Sequence, residues 1–516
     1  MKKNITRVLT LLLALLMLCA AFISCRKSEE DVGEGVVETT VSDSSDEIDI
    51  YEGLRDKDYG GRKFKILTYE ARVGWNPYIL QVDEGSQILN QAVMNRNIEV
   101  QELLNVQIDT ILVNEDEIIN HISTTSSAQL VDYDLIFSHA TNTFATLLES
   151  DYLYNVKKVE NMKLDKDWYN QSANQNFTIK KKQYFFVSDF SIPVQQRFAF
   201  LANTKMLEEY GVLDQFEGVN SIYDLVNQGK WTIDNLQLMI KNVNPDSASD
   251  DFNGTYGFVT NENSAARFLN NWGEDIVSTE YVPSLDTNRF VFNLNGAVLE
   301  SKVSRLTSFI HDDNNVYFEP GYDPTNQYGH SKNDPDSKNG NDYYEIFKRQ
   351  DAMFATYSSD PWNLATGAEY QAMNFAYLPY PKYTGQENYV TVTHGGVMMF
   401  SAFSADIAFS GAVTEALSAA SYKYMVDAYK SNYFEARVIQ DVEGLDMYQI
   451  ILDTAYYDVA RYIDPSKGNS GESLCASLTY FGFLIRSGNS LDWRFKQHGT
   501  TITTAYTELY AKLPVE

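Results

Sequence analysis

Aromatic rings and hydrogen-bonding side chains occur together just past several predicted strand ends and in nearby loops. Flat rings can stack on the apolar C–H faces of a sugar, while carboxylates, amides and imidazoles can hydrogen-bond to its hydroxyl groups. The residues of these types are Tyr69, Glu70, Trp75, His139, Thr141, Asn142, Trp272, Asp360, Trp362 and His394. We expect these side chains to line a ligand site.

Each of these residues also has a purely structural interpretation. Trp272 and Trp362 could be core tryptophans, and Asp360 could belong to a turn before proline. The two glycines after His394 could simply relieve backbone crowding. The chain has 35 tyrosines, and we expect most of them to be half-buried packing residues.

The first part of the folded chain alternates between strands and helices. Strands are predicted at residues 64–68 and 106–113, and a third within DYDLIFSH, which ends at His139. Helices are predicted at residues 87–104 and around residues 115–123. This alternation is typical of a parallel α/β sheet with right-handed crossovers.

A second series of elements begins at Phe198. A strand runs into a short helix in FAFLANTKMLEEYG, and a later helix is predicted behind Thr232 as its N-cap. Residues 312–341 are rich in Asp, Asn, Gly and Pro and predict a long surface excursion. Further strands are predicted in DAMFATY, FAYL and YVTVTHGGVMMFS, and a further helix at residues 405–429.

The N-terminal residues predict export. Lys2, Lys3 and Arg7 precede an apolar run over residues 8–23, which is typical of a signal peptide. The segment FISC, ending at Cys25, resembles the lipobox of bacterial lipoproteins, in which the cysteine is lipidated. We therefore expect a signal peptide at residues 1–24 and a lipidated cysteine with a disordered tether at residues 25–55. The alternative is an ordinary signal peptide cleaved near residues 20–21.

Charge and cysteine content exclude some classes of protein. The formal net charge is −29, which disfavours nucleic acid as a partner because its phosphates would be repelled. Of the 3 cysteines, Cys19 is predicted to leave with the signal peptide and Cys25 to carry lipid, so Cys475 has no partner for a disulfide. Stability must then come from a hydrophobic core.

The order of these segments resembles the extracellular solute-binding proteins of bacterial ABC importers, especially the sugar-binding branch. The similarity covers residues 60 to about 491 and is carried by segment order: ILTYE, NVQI, DYDLIF, FLANTKMLEEYG, GKWT, DAMFATYSSDPW and YVTVTHGGVMMF. The helical segments GAVTEALSAASYKYM and YFEARVIQDVEGLDMYQIIL look like the C-terminal part of larger lipoproteins in this group.

The resemblance implies two α/β lobes that are discontinuous in sequence and joined by a hinge, with the ligand in the cleft between them. Lobe 1 would contain residues 56–197 and 395–435, and lobe 2 residues 198–394 and 436–516. Trp362 matches an aromatic position that stacks on sugar, and Trp272 lies where relatives often carry a cleft aromatic. The resemblance further implies a carbohydrate ligand, an ABC permease as partner and attachment to the extracellular face of the cell membrane through the lipid. We expect a monomer without a cofactor.

The sequence also bears on other classes of function, namely hydrolases, metal-binding proteins and other surface lipoproteins. A glycoside hydrolase needs two suitably spaced carboxylates, but among 70 acidic residues some pair will always qualify by chance. The histidines lack metal-ligand spacing, and residues 246–257 lack the regular acidic spacing of a calcium loop and predict a solvated turn. A peptide-binding lipoprotein of the same design is the main alternative. A helical glycan-binding surface lipoprotein is disfavoured by the early strands.

Overall fold

The computed structural model describes residues 49–70, 79–80, 87–139, 144–243, 253–311, 315–319, 342–357, 373–431, 442–466, 473–475 and 477–514. The predicted signal peptide and Cys25 lie outside these ranges, as does most of the segment considered for calcium. Among the described residues, no helix combines the length and apolarity needed to cross a bilayer.

Strands and helices alternate along most of the described chain. The strands are β1 (Arg62–Tyr69), β2 (Val106–Val113), β3 (Leu135–His139), β4 (Thr178–Ile179), β5 (Lys182–Gln183), β6 (Gln196–Arg197), β7 (Ala199–Asn203), β8 (Tyr256–Asn261), β9 (Val277–Val282), β10 (Thr287–Phe292), β11 (Val316–Glu319), β12 (Ala352–Tyr357), β13 (Phe375–Leu378), β14 (Thr391–His394), β15 (Gly396–Met399) and β16 (Ala455–Tyr456). The α-helices are α1 (Gln87–Leu104), α2 (Ile118–Ser127), α3 (Ala145–Glu149), α4 (Gln171–Asn176), α5 (Thr204–Glu209), α6 (Ile222–Asn227), α7 (Ile233–Ile240), α8 (Glu262–Asn271), α9 (Ala297–Ile310), α10 (Asp342–Lys348), α11 (Ile407–Lys430), α12 (Val442–Asp453), α13 (Val459–Tyr462), α14 (Ser477–Ser487) and α15 (Leu491–Lys512).

A four-stranded sheet has the order β15-β3-β1-β2. Strand β1 pairs in parallel with β2 and β3, whereas β15 pairs antiparallel with β3. Neighbouring residues of β1 serve opposite faces, because Ile66 joins the hydrophobic cluster under α1 and α11 while Leu67 joins the cluster with α2 and α3. Helices on both faces explain why the last four residues of β1 and all five residues of β3 are buried.

A five-stranded sheet has the order β11-β8-β12-β7-β13, with β7 antiparallel to both of its neighbours. One face contributes Phe200, Phe258 and Phe354 to a core that also holds the fully buried Trp231. Burying each such large apolar side chain stabilises the fold by about 1.5–3 kcal/mol. The opposite face packs against α10 and α12.

The chain passes between these two sheets along a short three-stranded sheet of order β16-β14-β6. Strand β6 runs almost directly into β7 of the five-stranded sheet, and β14 runs into β15 of the four-stranded sheet. Strands β14 and β6 pair antiparallel, with His394 opposite Gln196. We call residues 195–198 and 391–396 the crossing.

Two sequence predictions need correction. The segment expected to be a tether up to residue 55 already belongs to the folded core at its end, because Tyr51 and Leu54 are buried against the cluster under α1 and α11. The segment expected to be a surface excursion at residues 312–341 contains strand β11, which pairs in parallel with β8 and contributes Val316 to the core. Both corrections arise because a few apolar side chains within polar surroundings suffice to fix a short segment.

Candidate functional site

The sequence-predicted site residues fall into two groups. Trp75, Thr141, Asn142, Asp360 and Trp362 lie outside the described residues. The structure places the others, Tyr69, Glu70, His139, Trp272 and His394.

The carboxyl ends of β1 and β3 bring two predicted residues together. Tyr69, the last residue of β1, is buried, and its ring stacks on Phe137 with centroids 6.4 Å apart. The His139 imidazole meets the Tyr69 ring edge-on at 6.4 Å. Glu70 is exposed just beyond, and its backbone N–H donates to the Val113 carbonyl oxygen at 3.0 Å. Tyr69 and His139 therefore lie side by side, as parallel strands that end at one sheet edge require.

Strand β2 adds a carboxylate that the sequence reasoning missed. Glu115 begins a 3₁₀ turn directly after β2, and its Oε1 lies 3.5 Å from His139 Nδ1. Both side chains are largely buried. The signal was available, because Glu115 follows a strand end in the same way as Glu70.

His394 joins this group from the crossing. His139 of β3 and Gly396 of β15 are register partners. His394 therefore lies two residues along the chain from the partner of His139. The His394 ring meets the Phe198 ring edge-on at 5.2 Å, and the side chain is 3% exposed. Burial lowers the pKa of His394 well below 6.5, and the nearby charges of Arg267, Arg461 and His139 lower it further. The imidazole is therefore neutral at pH 7, and among the described residues its Nε2 has no hydrogen-bond partner.

Helix α8 brings a buried guanidinium to the same place. Arg267 is 1% exposed, and its Cζ lies 4.9 Å from the Phe198 ring centroid in a cation–π contact. Its Nη2 makes one long contact, 3.5 Å to Asn263 Oδ1, whereas Nε and Nη1 have no hydrogen-bond partner within the described part of the chain. Burial lowers the pKa of Arg267 to about 9, helped by the charge of Arg461 and opposed by Asp458.

A second guanidinium belongs to α13. Arg461 precedes Tyr462, whose hydroxyl oxygen accepts a hydrogen bond from the Gly395 backbone N–H at 3.1 Å. This bond ties α13 to the residue after His394. Burial lowers the pKa of Arg461, and its Nε lacks a partner among the described residues. The strand that precedes Arg461, the two-residue β16, was not predicted from the sequence, so the rule used for the other candidates could not select Arg461.

Gly395 and Gly396 of the crossing lie where the surrounding atoms leave no room for a side chain. A Cβ at Gly395 would lie 2.3 Å from Gln195 Oε1, and a Cβ at Gly396 would lie 2.5 Å from two atoms of the Phe137 ring. Gln195 is itself held by a hydrogen bond from the Tyr457 hydroxyl at 3.0 Å. The structural interpretation of these glycines is therefore the right one, and their absence of side chains lets β14 and β15 approach the neighbouring strands.

Trp272 does not belong to this site, which corrects the sequence prediction. It is 2% exposed and packs in the core against Phe268 and Tyr383, at centroid distances of 5.5 and 5.1 Å. Its indole Nε1 donates to the Pro381 carbonyl oxygen at 3.0 Å. The ring and its polar atom are both fully engaged, so Trp272 holds the end of α8 instead of facing a ligand.

Taken together, the site is a buried group at the crossing that contains Tyr69, Glu115, His139, Phe198, Arg267, His394 and Arg461. Its polar atoms are mainly N–H donors, and those at Arg267 Nε and Nη1 and at Arg461 Nε have no acceptor among the described residues. Leaving a buried donor unpaired costs about 1–3 kcal/mol, so such groups in native proteins usually bind something. The arrangement suits a small ligand rich in oxygen acceptors.

Several solved structures of binding proteins are similar to this chain over most of its length. A cyclo/maltodextrin-binding protein in complex with maltotetraose is 12% identical, with a TM-score of 0.55 over 86% of this chain and 97% of that chain. The chain has the two-lobed solute-binding protein fold. The extracellular solute-binding protein from Staphylococcus aureus in complex with maltose is likewise 12% identical, with a TM-score of 0.55 over 87% of this chain and 98% of that chain.

A third similar structure is the cyclic alpha-maltosyl-1,6-maltose binding protein from Arthrobacter globiformis, 11% identical with a TM-score of 0.51 over 88% of this chain and all of that chain. No family model and no curated protein sequence matches the chain. The predicted fold class, a two-lobed α/β solute-binding fold, is confirmed. In this chain the crossing is where the polypeptide passes between the four-stranded and the five-stranded sheet, and the buried donors of Arg267 lie beside it.

Proposed function

We propose that this protein captures a carbohydrate outside the cell and delivers it to an ABC importer. The observation that carries the proposal is that buried N–H groups of Arg267 and Arg461 at the crossing, beside the carboxyl ends of β1 and β3, have no acceptor among the described residues. Ligands of open α/β sheets bind beyond these strand ends. The similar solved structures are binding proteins rather than enzymes, and two of them hold maltotetraose or maltose, which supports a sugar ligand.

In this proposal Tyr69, His139 and His394 contact the ligand together with Glu115 and Arg267. Glu70, Trp75, Thr141, Asn142, Asp360 and Trp362 follow strand ends and complete the site, with Trp362 stacking on a sugar face. Trp272 is excluded, because its ring and indole N–H are engaged in the core.

The proposed lobes are residues 56–197 with 395–435 and residues 198–394 with 436–516. The four-stranded sheet draws its strands from the first set and the five-stranded sheet from the second, which supports the division. Bending at the crossing would close the lobes on the ligand, and a ligand shifts this equilibrium only by its greater affinity for the closed form.

The location outside the cell is part of the same proposal. Residues 1–24 would be removed as a signal peptide, and lipid on Cys25 would tether a monomeric domain to the extracellular face of the membrane through the segment before residue 50. Several acyl chains hold a protein on a bilayer far more firmly than one. The permease would recognise the closed form.

A thermal-shift screen tests the proposal. The purified protein is heated with mono- and oligosaccharides, amino acids and peptides, and a sugar that binds should raise the melting temperature by mass action. A shift of about 2.7 kcal/mol in stability is expected at 100 times the dissociation constant. Stabilisation by peptides alone would replace the proposal with peptide capture, and turnover of a glycoside would replace it with an enzyme.

Two variants sharpen the screen. Trp362→Ala should abolish the shift caused by the best sugar while leaving the unliganded melting temperature nearly unchanged. Trp493→Ala is the matched control, because Trp493 is 38% exposed on α15 and stacks on Phe483, away from the crossing. It should keep the full sugar response. A large loss of basal stability in Trp362→Ala would assign Trp362 to the core.

A further inference from the structure

Two guanidinium groups at the crossing, that of the buried Arg267 and that of the partly buried Arg461, have no ion pair among the described residues. Arg267 and Arg461 form none with any carboxylate of the described residues. Elsewhere the described chain does pair its partly buried cations, as Lys302 does with Glu274 at 2.6 Å and Arg486 with Glu262 at 3.3 Å. A buried charge without a partner costs several kcal/mol, so the unpaired guanidinium of Arg267 needs a cause. Another buried cation without an ion pair among the described residues, Lys382, differs because its Nζ donates to the Glu387 carbonyl oxygen at 3.0 Å.

The carboxylates that act on the pKa of these arginines form no ion pair with either guanidinium. Asp458 is fully buried and raises the pKa of both arginines, yet its Oδ1 accepts a hydrogen bond from the Ala460 backbone N–H at 3.0 Å, capping α13. Glu115 faces His139 at 3.5 Å. Both carboxylates therefore moderate the local charge without neutralising either guanidinium directly. Arg267 Nε and Nη1 therefore have no acceptor in the part of the chain that the structure describes.

We propose that the ligand is an acidic carbohydrate, and that Arg267 and Arg461 bind its carboxylate or sulfate ester group. This inference rests on the proposed function and specifies the class of sugar. A guanidinium presents parallel N–H donors that match the two oxygens of a carboxylate, and such charge-assisted bonds are about twice as strong as neutral ones. His394 Nε2, which has no hydrogen-bond partner within the described ranges, would form a hydrogen bond with a neighbouring hydroxyl group.

The acidic surface does not oppose this assignment at short range. The formal net charge of −29 repels anions in bulk solution, but salt screens exposed charges within about 8 Å at physiological ionic strength. Buried pairs are screened far less. Local contact with two arginines therefore decides the affinity, while the surface charge slows the approach of the ligand.

Titration calorimetry with matched sugar pairs tests the inference. The pairs are galacturonate and galactose, glucuronate and glucose, and N-acetylglucosamine 6-sulfate and N-acetylglucosamine, each also as a short oligomer. The acidic member of at least one pair should bind roughly tenfold or more tightly than its neutral partner, the gain expected from a charged hydrogen bond. The carboxylate and sulfate arms identify the anionic group.

Three variants show which side chains cause the preference. Arg267→Gln should bring the ratio of acidic to neutral affinity close to 1, and Arg267→Lys should retain part of the preference because it keeps the charge. Arg305→Gln is the control, because Arg305 pairs with Asp234 at 2.8 Å away from the crossing and its loss removes the same charge. Arg305→Gln should leave the ratio unchanged.

The outcomes separate this inference from the proposed function. Neutral sugars that bind as tightly as acidic ones would overturn the inference and leave sugar capture intact. Binding of peptides or amino acids with no sugar binding would overturn both. A steep fall in the unliganded melting temperature of both Arg267→Gln and Arg267→Lys would show that Arg267 stabilises the fold and does not bind an anion. This result would also overturn the inference.

Discussion

The core of the five-stranded sheet and the crossing are both buried, but they differ in whether selected buried N–H groups have a hydrogen-bond acceptor. In the core, the indole N–H groups of Trp231 and Trp272 each donate to a backbone carbonyl oxygen, at 2.7 and 3.0 Å. At the crossing, donors of Arg267 and His394 have no acceptor among the described residues. Arg267 and Trp272 even share helix α8, five residues apart. Burial by itself therefore does not identify a binding residue, and the two residues differ in whether their buried N–H groups have an acceptor among the described residues.

The largest effect should come from the core. Trp272→Ala should lower the free energy of unfolding by about 3–5 kcal/mol, because it removes a large buried ring and leaves a cavity. Chemical denaturation measures this loss, and Trp493→Ala is a control expected to change stability much less. If Trp272→Ala has normal stability and binds no ligand, Trp272 is a ligand-binding residue. The contrast between the core and the crossing would then be wrong.

The next effect tests how tightly the crossing is built. Gly396→Ala should cost about 1–3 kcal/mol, because its Cβ would overlap the Phe137 ring inside a packed core. Gly482→Ala is the control, since its Cβ would meet only the flexible end of Glu262 within α14, where alanine favours the helix by up to about 1 kcal/mol. Equal denaturation midpoints for the two variants would show that the crossing has spare room.

The smallest effects are pH dependences of opposite sign in the two regions. Burial raises the pKa of Glu319, at the end of β11, to about 7. The folded state then holds a proton that the unfolded state has lost, so this contribution is complete below about pH 4.5 and disappears as the pH rises through 7. The pKa of His394 is lowered instead, so its contribution is present above about pH 6.5 and is lost as the pH falls.

Two substitutions separate these contributions. On going from pH 7.5 to 5.5, Glu319→Gln should lose about 1 kcal/mol of stability relative to the wild type, and His394→Gln should gain about 1 kcal/mol. Denaturation curves at both values provide the comparison. If the two variants shift in the same direction, the charge states assigned to the two regions are wrong.

Sequence reasoning located the elements with strong periodicity and missed those that depend on a few side chains. The apolar runs of β1 and β3 could hardly be anything but buried strands, whereas β11 has four residues in an Asn- and Asp-rich stretch. For the site, the rule of strand ends selected Tyr69, His139 and His394, which the structure brings near one another. The same rule also covered Glu115, which was overlooked.

The remaining errors concern what each polar atom contacts, which sequence does not specify. Trp272 was selected because it lies where relatives often carry a cleft aromatic, and only the fold reveals that its indole N–H donates to a carbonyl group. Neither Arg267 nor Arg461 follows a predicted strand end, and most arginines lie at the surface, so nothing in the sequence pointed to them. Their burial depends on how α8 and α13 pack against the crossing.

The central claim is that the protein closes its two lobes on a ligand held at the crossing. Small-angle X-ray scattering of the purified protein, with and without the best-binding sugar at saturation, tests this claim most directly. The account predicts a smaller radius of gyration with the sugar present and a weaker contraction for Arg267→Gln under the same conditions. Identical scattering curves, for a sugar shown by calorimetry to bind, would contradict it.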